Sequence, residues 1–140
     1  MSFLVSLEIS ASGLYAQRKR MDIIASNLAN IETTHTKKGG PYRRRIVVMS
    51  TKPVQDFNKV LTLQAEGVKV DDIVEDESPF KKVFNPSHPD ADKEGYLLKP
   101  NVDLVVEITN MLMARRVFEA NIAAIRSTKQ MALKALEIGR

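Results

Sequence analysis

Cysteine and tryptophan are both missing from this 140-residue chain, and histidine occurs only twice. Without a thiol there is no disulfide, no thiolate metal site and no cysteine nucleophile; the redox compartment leaves no mark, and an oxidising one is not forbidden. The histidines give acid–base chemistry little to work with. His35 stands in a threonine-rich stretch with no partner beside it, and His88 sits with Asp90 and Asp92 in "HPDAD". One histidine and two loop carboxylates are too few ligands for a metal, and Pro89 and Ala91 suit a turn, so a structural role is expected there. Gly39 and Gly40 precede Pro41 and a strand pattern rather than a helix, so they make no phosphate loop. No carboxylates are spaced as an acid/base pair and no nucleophile has a base beside it. The chain reads as non-enzymatic, without a cofactor or a small-molecule substrate.

Long apolar runs are also missing. No stretch approaches the ~20 apolar residues that a membrane-spanning helix needs. The opening "MSFLVSLEISASGL" has no basic residue and is interrupted by Glu8, so a cleaved secretory signal is not expected. Export, if it occurs, would use a route that removes no signal. Nor does one sign of charge dominate: 21 basic residues face 17 acidic ones, a net +4. The excess is spread along the chain, which is weak steering and not a nucleic-acid footprint.

What remains is 44% apolar and 27% charged, enough for a folded domain. No proline precedes Pro41, and a heptad pattern runs through Leu4, Leu7, Ala11, Leu14, Arg18, Met21, Ala25 and Leu28. This predicts one helix over residues 2–33. A second such seam runs through Leu104, Ile108, Met111, Arg115, Phe118, Ile122, Ile125, Lys129, Ala132 and Leu136. Pro100 and Asn101 suit its start, Asp103 and Glu107 the positive end of its dipole, and Gly139 its stop. Arg18, Arg115 and Lys129 interrupt the seams, as stems whose charged heads reach the rim; a buried pair of Arg18 with Glu107 or Glu119 is the alternative.

Both helices carry further apolar residues: Ile9, Ala16 and Ile23 on the first, and Val117, Ala124, Met131 and Ile138 on the second. A helix apolar on two faces must be buried on both, and a chain this size has little to cover the second. We therefore expect the seams and second faces to serve assembly, with the terminal helices fully ordered only within it.

Between the helices the pattern changes. "GGPYRRRIVVM" turns into a β-branched run and "GVKVDDIVE" alternates like a second strand, after which three loop signals follow. Arg43, Arg44 and Arg45, with Lys37 and Lys38, precede the first strand, while Asp71, Asp72, Glu75, Asp76 and Glu77 occupy the second. Pairing of these clusters, within a chain or between neighbours, is expected in preference to a phosphate site. The predicted fold is α+β: an N-terminal helix (residues 1–33) and a C-terminal helix (101–140) paired as a coiled-coil-like hairpin, around a loop-rich β-hairpin segment (34–100).

The run "SGLYAQRKRMDIIASNLANIET", residues 12–33, resembles the N-terminal signature of the bacterial flagellar axial proteins, the rod and hook family. In that family an "ANNxANxxT"-like run closes the first helix; here it reads Ala25, Ser26, Asn27, Leu28, Ala29, Asn30, Ile31, Glu32, Thr33, with serine for one asparagine. Residues 67–140 resemble the proximal-rod branch through "NPSHPDAD", "GY" and "PNV", while "RRVFEAN" and "ALEIGR" are shared more widely among axial proteins. Only residues 34–66 match weakly. The resemblance implies a structural subunit stacking helically, with itself and other rod proteins, into the hollow periplasmic rod of the basal body. It also implies torque transmission, a lumen for exported proteins, and passage through the flagellar type III export apparatus without signal cleavage.

Asn27 and Asn30 lie off the heptad seam, on the side of Ile23. Amides on a face covered by neighbours are expected to fix register across the contact, as single polar residues do in coiled coils. The competing reading of the whole chain is a coiled-coil adaptor that binds a partner helix, or nucleic acid through Arg43, Arg44 and Arg45.

Overall fold

The computed structural model describes residues 3–53 and 66–138. The expected helix start at residue 2 and the Gly139 stop lie outside them. Six elements follow in order: α1 (Phe3–Ala29), β1 (Arg45–Pro53), β2 (Glu66–Glu75), β3 (Lys81–Phe84), β4 (Tyr96–Lys99) and α2 (Leu104–Ile138).

The amide motif is what ends α1. Asn30 Nδ2 donates to the Ser26 carbonyl at 2.9 Å, Thr33 Oγ1 donates to Asn30 Oδ1 at 3.1 Å, and the Asn30 N–H is shared between the carbonyls of Ser26 and Asn27. The last turn tightens, its orphan carbonyls find donors, and the chain leaves four residues earlier than the periodicity predicts.

Asp103 caps the start of α2, at the same end of the helix pair. Its Oδ1 accepts the N–H groups of Val105 at 3.0 Å and Val106 at 3.2 Å, taking the role expected of Asn101. The Val106 N–H above all, with the Lys81 charge adding to it, holds the Asp103 carboxyl below the usual carboxylate range. Asp76 is lowered in the same direction, chiefly by the Ser78 N–H. A carboxyl whose folded pKa is depressed contributes stability above its unfolded pKa of about 3.9 and loses it as pH falls through the folded value. Thermal melts from pH 6 down should therefore show stability falling below about pH 4, and Asp103→Asn, which keeps a capping oxygen, should flatten that fall.

The helices run antiparallel. Asn27 meets Glu107 and Gly13 meets Asn121, so fourteen residues along α1 match fourteen back along α2. At 1.5 Å per residue α2 is about 52 Å long and α1 about 40 Å, so the end of α2 projects beyond the start of α1. The pairing face is not the one expected. On α2 the buried or half-buried positions are Glu107, Asn110, Met111, Ala114, Phe118, Asn121, Ile122, Ile125, Thr128 and Ala132. Met111, Phe118, Ile122, Ile125 and Ala132 are shared with the expected seam, but Ile108, Arg115 and Lys129 each give way to the residue before them. On α1 the correction is larger. Leu4, Ala11, Arg18 and Ala25 are exposed, with Leu7, Leu14, Met21 and Leu28 half-buried, whereas Ala16, from the expected second face, is completely buried and Ile9 and Ile23 are half-buried.

The physical reason is close approach. A Cβ added at Gly13 would stand 3.0 Å from the Asn121 amide, and Ala16 and Ala114 have no exposed surface. Small residues let the backbones come together, and that contact outweighs the larger but looser apolar rows on either side. Gly13→Ala should change stability by no more than about 1 kcal/mol, because the Asn121 amide can swing aside and the helix gains propensity. Gly13→Leu has no such room, and chemical denaturation should show a loss of roughly 1–3 kcal/mol.

The middle segment packs as two antiparallel ribbons, β1 with β2 and β3 with β4. β1 pairs in register from Arg45 opposite Glu75 to Pro53 opposite Glu66, with a bulge between Val48 and Met49. Ser12 Oγ of α1 accepts the Val68 N–H at 3.0 Å and fastens β2 to the helix. The second ribbon falls where the sequence shows only loop signals, since strands of four residues are too short for alternation to register. Its turn is closed by Gly95, at φ +82°, against the edge-to-face pair Phe84 and Tyr96.

Candidate functional site

The densest chemistry among the described residues is a polar hub at the closed end of the helix pair. Asn27 is 1% exposed and all four of its amide positions are used. Its Nδ2 donates to the Arg45 carbonyl at 2.9 Å and to Glu107 Oε2 at 3.0 Å; its Oδ1 accepts from the Arg45 N–H at 2.9 Å and from the Tyr42 hydroxyl at 3.0 Å. The amide thus pairs with the backbone of residue 45 as a neighbouring strand would. Sequence periodicity placed Asn27 against a neighbouring subunit; instead it is buried and consumed within its own chain.

Glu107 has no exposed surface. Its Oε1 accepts from Arg44 Nε at 2.8 Å and lies 2.7 Å from Nη2, a two-pronged pairing that matches the guanidinium fork to one carboxylate. Arg44 Nη1 reaches Asp76 Oδ2 at 3.2 Å. Burial works against the Arg44 charge, but the hydrogen bonds and charges of Glu107 and Asp76 outweigh it and raise its pKa. Asn101 completes the hub. It accepts the Arg44 N–H at 2.8 Å and donates to the carbonyls of Asp76 and Ser78. Four segments distant in sequence are joined in this way: the end of α1, the approach to β1, the loop after β2, and the start of α2.

Two ion pairs join the basic and acidic clusters as expected, Lys38 with Glu75 and Arg44 with Asp76, while other members take different partners. None of Arg43, Arg44 and Arg45 forms an ion pair with Asp71, Asp72 or Glu75 among the described residues. Arg44 takes Asp76 and Glu107, Lys38 lies 3.6 Å from Glu75, and Lys69 lies 2.8 Å from Asp71. The Lys69 contact, with Ser50, lowers the Asp71 pKa. Arg43 instead donates to the carbonyls of Asp76 and Ser78 while its guanidinium stacks on Phe80, and Arg45 lies over Tyr42. Arg18 is exposed and takes neither Glu107 nor Glu119, which pairs with Arg115 one turn away.

His88, Asp90 and Asp92 form turns. The Asp90 N–H donates to His88 Nδ1, and Asp92 Oδ1 accepts the N–H groups of Glu94 and Tyr96. No cluster of three metal-ligating side chains exists among the described residues, and no helix there is long and apolar enough to cross a membrane. Sequence reasoning assigned Glu107 to the helix dipole, with burial only as an alternative partner of Arg18, and missed Asn27 and Arg44 as its partners. Its spacing of seven from Ala114 was the available signal for burial.

Away from the hub, apolar surface is left open. On α2, Val105, Leu112, Val117, Met131, Leu136 and Ile138 are exposed, Leu136 by 72%; on α1, so are Phe3 and Leu4. Leu104 and Ile108, expected in the seam, are exposed too, as is the small Ala124.

Two family models match the chain: "Flagella basal body rod protein" over residues 7–35 and "Flagellar basal body rod FlgEFG protein C-terminal" over residues 93–138. The first spans most of α1 and the amide motif; the second spans β4 and all of α2. The chain is 45% identical to the flagellar basal-body rod protein FlgC of Bacillus subtilis, covering 96% of this chain and 97% of that protein. It is 39% identical to the protein of that name from Salmonella typhimurium, covering the whole of both, and 38% identical to that from Borreliella burgdorferi, covering 99% and 98%. Two long terminal helices, an amide-closed α1 and full-length likeness at this level agree: the chain belongs to the flagellar basal-body rod protein family, as a structural subunit of the rod.

Proposed function

We propose that this chain works mechanically, as a tube-forming subunit whose paired helices stack against further copies and other rod proteins in the hollow periplasmic shaft. The supporting observation is the apolar surface of α2 that its own chain leaves uncovered, including Val105, Leu112 and Leu136. Val105 and Leu112, seven residues apart, share one helix face, and exposed apolar residues grouped in this way mark a protein–protein contact. Torque then passes through many interlocked helix contacts, and the hub holds the β ribbons at a set angle to the helix pair. The helix pair encloses the export channel, and the chain reaches the rod through the export apparatus without signal cleavage. The projecting end of α2 becomes fully ordered when neighbours cover it.

The test separates folding from assembly. Val105→Asp with Leu112→Asp changes only exposed positions, so the purified variant should keep its helix content and lie within about 0.5 kcal/mol of the parent for each substitution. In cells lacking the native subunit it should fail to restore complete rods in electron micrographs, and swimming with them. Normal swimming by this variant would remove the basis of the proposal.

A further inference from the structure

We propose that the basic, aromatic-walled groove formed by Lys37, Lys38, Tyr42, Arg43, Arg45 and Phe80 is a subunit contact that receives the acidic rim, Asp72 and Glu77, of a second copy of this chain. The inference deepens the rod-subunit reading and rests on it.

The groove has a volume of about 440 Å³, room for two or three side chains. Its wall is pre-set. Thr36 N–H donates to the Gly40 carbonyl, Gly39 N–H to the Thr36 carbonyl, and Tyr42 N–H to the Thr33 carbonyl, each at 2.9 Å. Gly39 and Gly40 both take positive φ, which fixes the reversal of the chain there. Two of its cations are held in place by aromatic rings: the Arg43 guanidinium lies 4.4 Å from the Phe80 ring centre and that of Arg45 lies 5.7 Å from Tyr42. Stacking of this kind leaves guanidinium edges directed for carboxylates while covering their faces.

The charge is out of balance. Four cations line the groove with a single carboxylate, Glu75, and only Lys38 pairs with it. Lys37, Arg43 and Arg45 have no carboxylate partner among the described residues. Directly beside the groove, Asp72, Glu75 and Glu77 form an opposite rim that shares Arg43 with it. There Asp72 and Glu77 are exposed and have no cationic partner among the described residues. A surface with an unneutralised basic groove and an unneutralised acidic rim side by side is complementary to a shifted copy of itself. When that shift brings groove to rim head to tail, with a rotation that does not close, the contact repeats along an open helix, the symmetry that a rod requires. Short, compact and walled, the groove takes a few carboxylates rather than the phosphate track of a nucleic acid.

Because the chain has no cysteine, the contact can be trapped without background. Lys37→Cys and Glu77→Cys, both at exposed positions, are expressed in separate copies in one cell and oxidised in isolated basal bodies. A disulfide-linked pair of two copies is expected with both variants present and not with either alone. In parallel, Lys37→Glu and Glu77→Lys should each lower incorporation into basal bodies about tenfold, and the double exchange in one chain should restore most of it. Incorporation without the crosslink, a crosslink to a different rod protein, or a double exchange as poor as the single variants combined would overturn the contact while leaving the rod reading intact. Absence of the unmodified chain from basal bodies would overturn the rod reading itself.

Discussion

Glu107→Ala should be the most damaging single truncation in this chain, lowering the stability of the purified protein by roughly 3–5 kcal/mol. Glu107 is fully buried, and it holds Arg44 through two nitrogens and Asn27 through a third donor. Removing it leaves a guanidinium that is mostly covered with only Asp76 to balance it, and an amide hydrogen without an acceptor. The cost of such a break is mainly the buried charge left unpaired rather than the net worth of the pair. Two companion variants separate these contributions. Glu107→Gln keeps an acceptor but loses the charge and should lie between wild type and alanine. Replacing Arg44 and Glu107 together, by Leu and Met, removes both charges and should recover part of the loss, since a well-packed apolar pair is often as stable as a buried ion pair. With the single variants Arg44→Leu and Glu107→Met added, the denaturant midpoints of wild type, the two singles and the double, analysed as a cycle, give the coupling. At the usual scale of a few degrees per kcal/mol, the alanine variant should melt about 10 °C or more below the parent.

Asn27→Ala comes second, at about 2–4 kcal/mol. It exposes no charge but orphans several buried groups together: the N–H and carbonyl of Arg45, the Tyr42 hydroxyl and one oxygen of Glu107. The near-isosteric Asn27→Asp is more informative. It can still accept from Arg45 and Tyr42, but it has no donor for the Arg45 carbonyl and places a second carboxyl 3.0 Å from Glu107. Like charges this close in a poorly solvated site force one to take a proton. Asn27→Asp should therefore be less stable than Asn27→Ala at pH 7 and recover relative to it as pH falls through the range where the shared site binds that proton. If Asn27→Asp matched wild type at neutral pH, the amide would not be acting as the two-way donor and acceptor described here.

Both variants also probe how the ends of the chain are coupled to its middle. Asn27 reaches the backbone at the start of β1, and Arg44 reaches the loop after β2, so the hub sets the angle between the helix pair and the β ribbons. By contrast Asn30, the second amide of the motif, bonds only within its own turn. Two asparagines three residues apart do separate work: one docks a strand and a helix, the other stops a helix.

Much of this architecture is legible in the order of residues alone. The long unbroken periodicities around a Gly-Gly-Pro turn determine two helices at the chain ends, because apolar residues recur at helical spacing and no proline interrupts them. The alternation in "GVKVDDIVE" places β2 within one residue, and the amide and "PNV" signatures carry the family. The rotation of each helix is a different matter. With apolar residues on nearly every side, no hydrophobic stripe is unique, and the choice falls to whichever face lets two backbones approach most closely. Gly13, Ala16 and Ala114 make that choice, and it becomes visible only when the helices are brought together. The same holds for Glu107, a helix-dipole carboxylate by position and a core residue by contact. Its partners Asn27, Arg44 and, through Arg44, Asp76 come from three segments that only the tertiary fold joins, because a buried charge is tolerable only where other parts of the chain supply its hydrogen bonds.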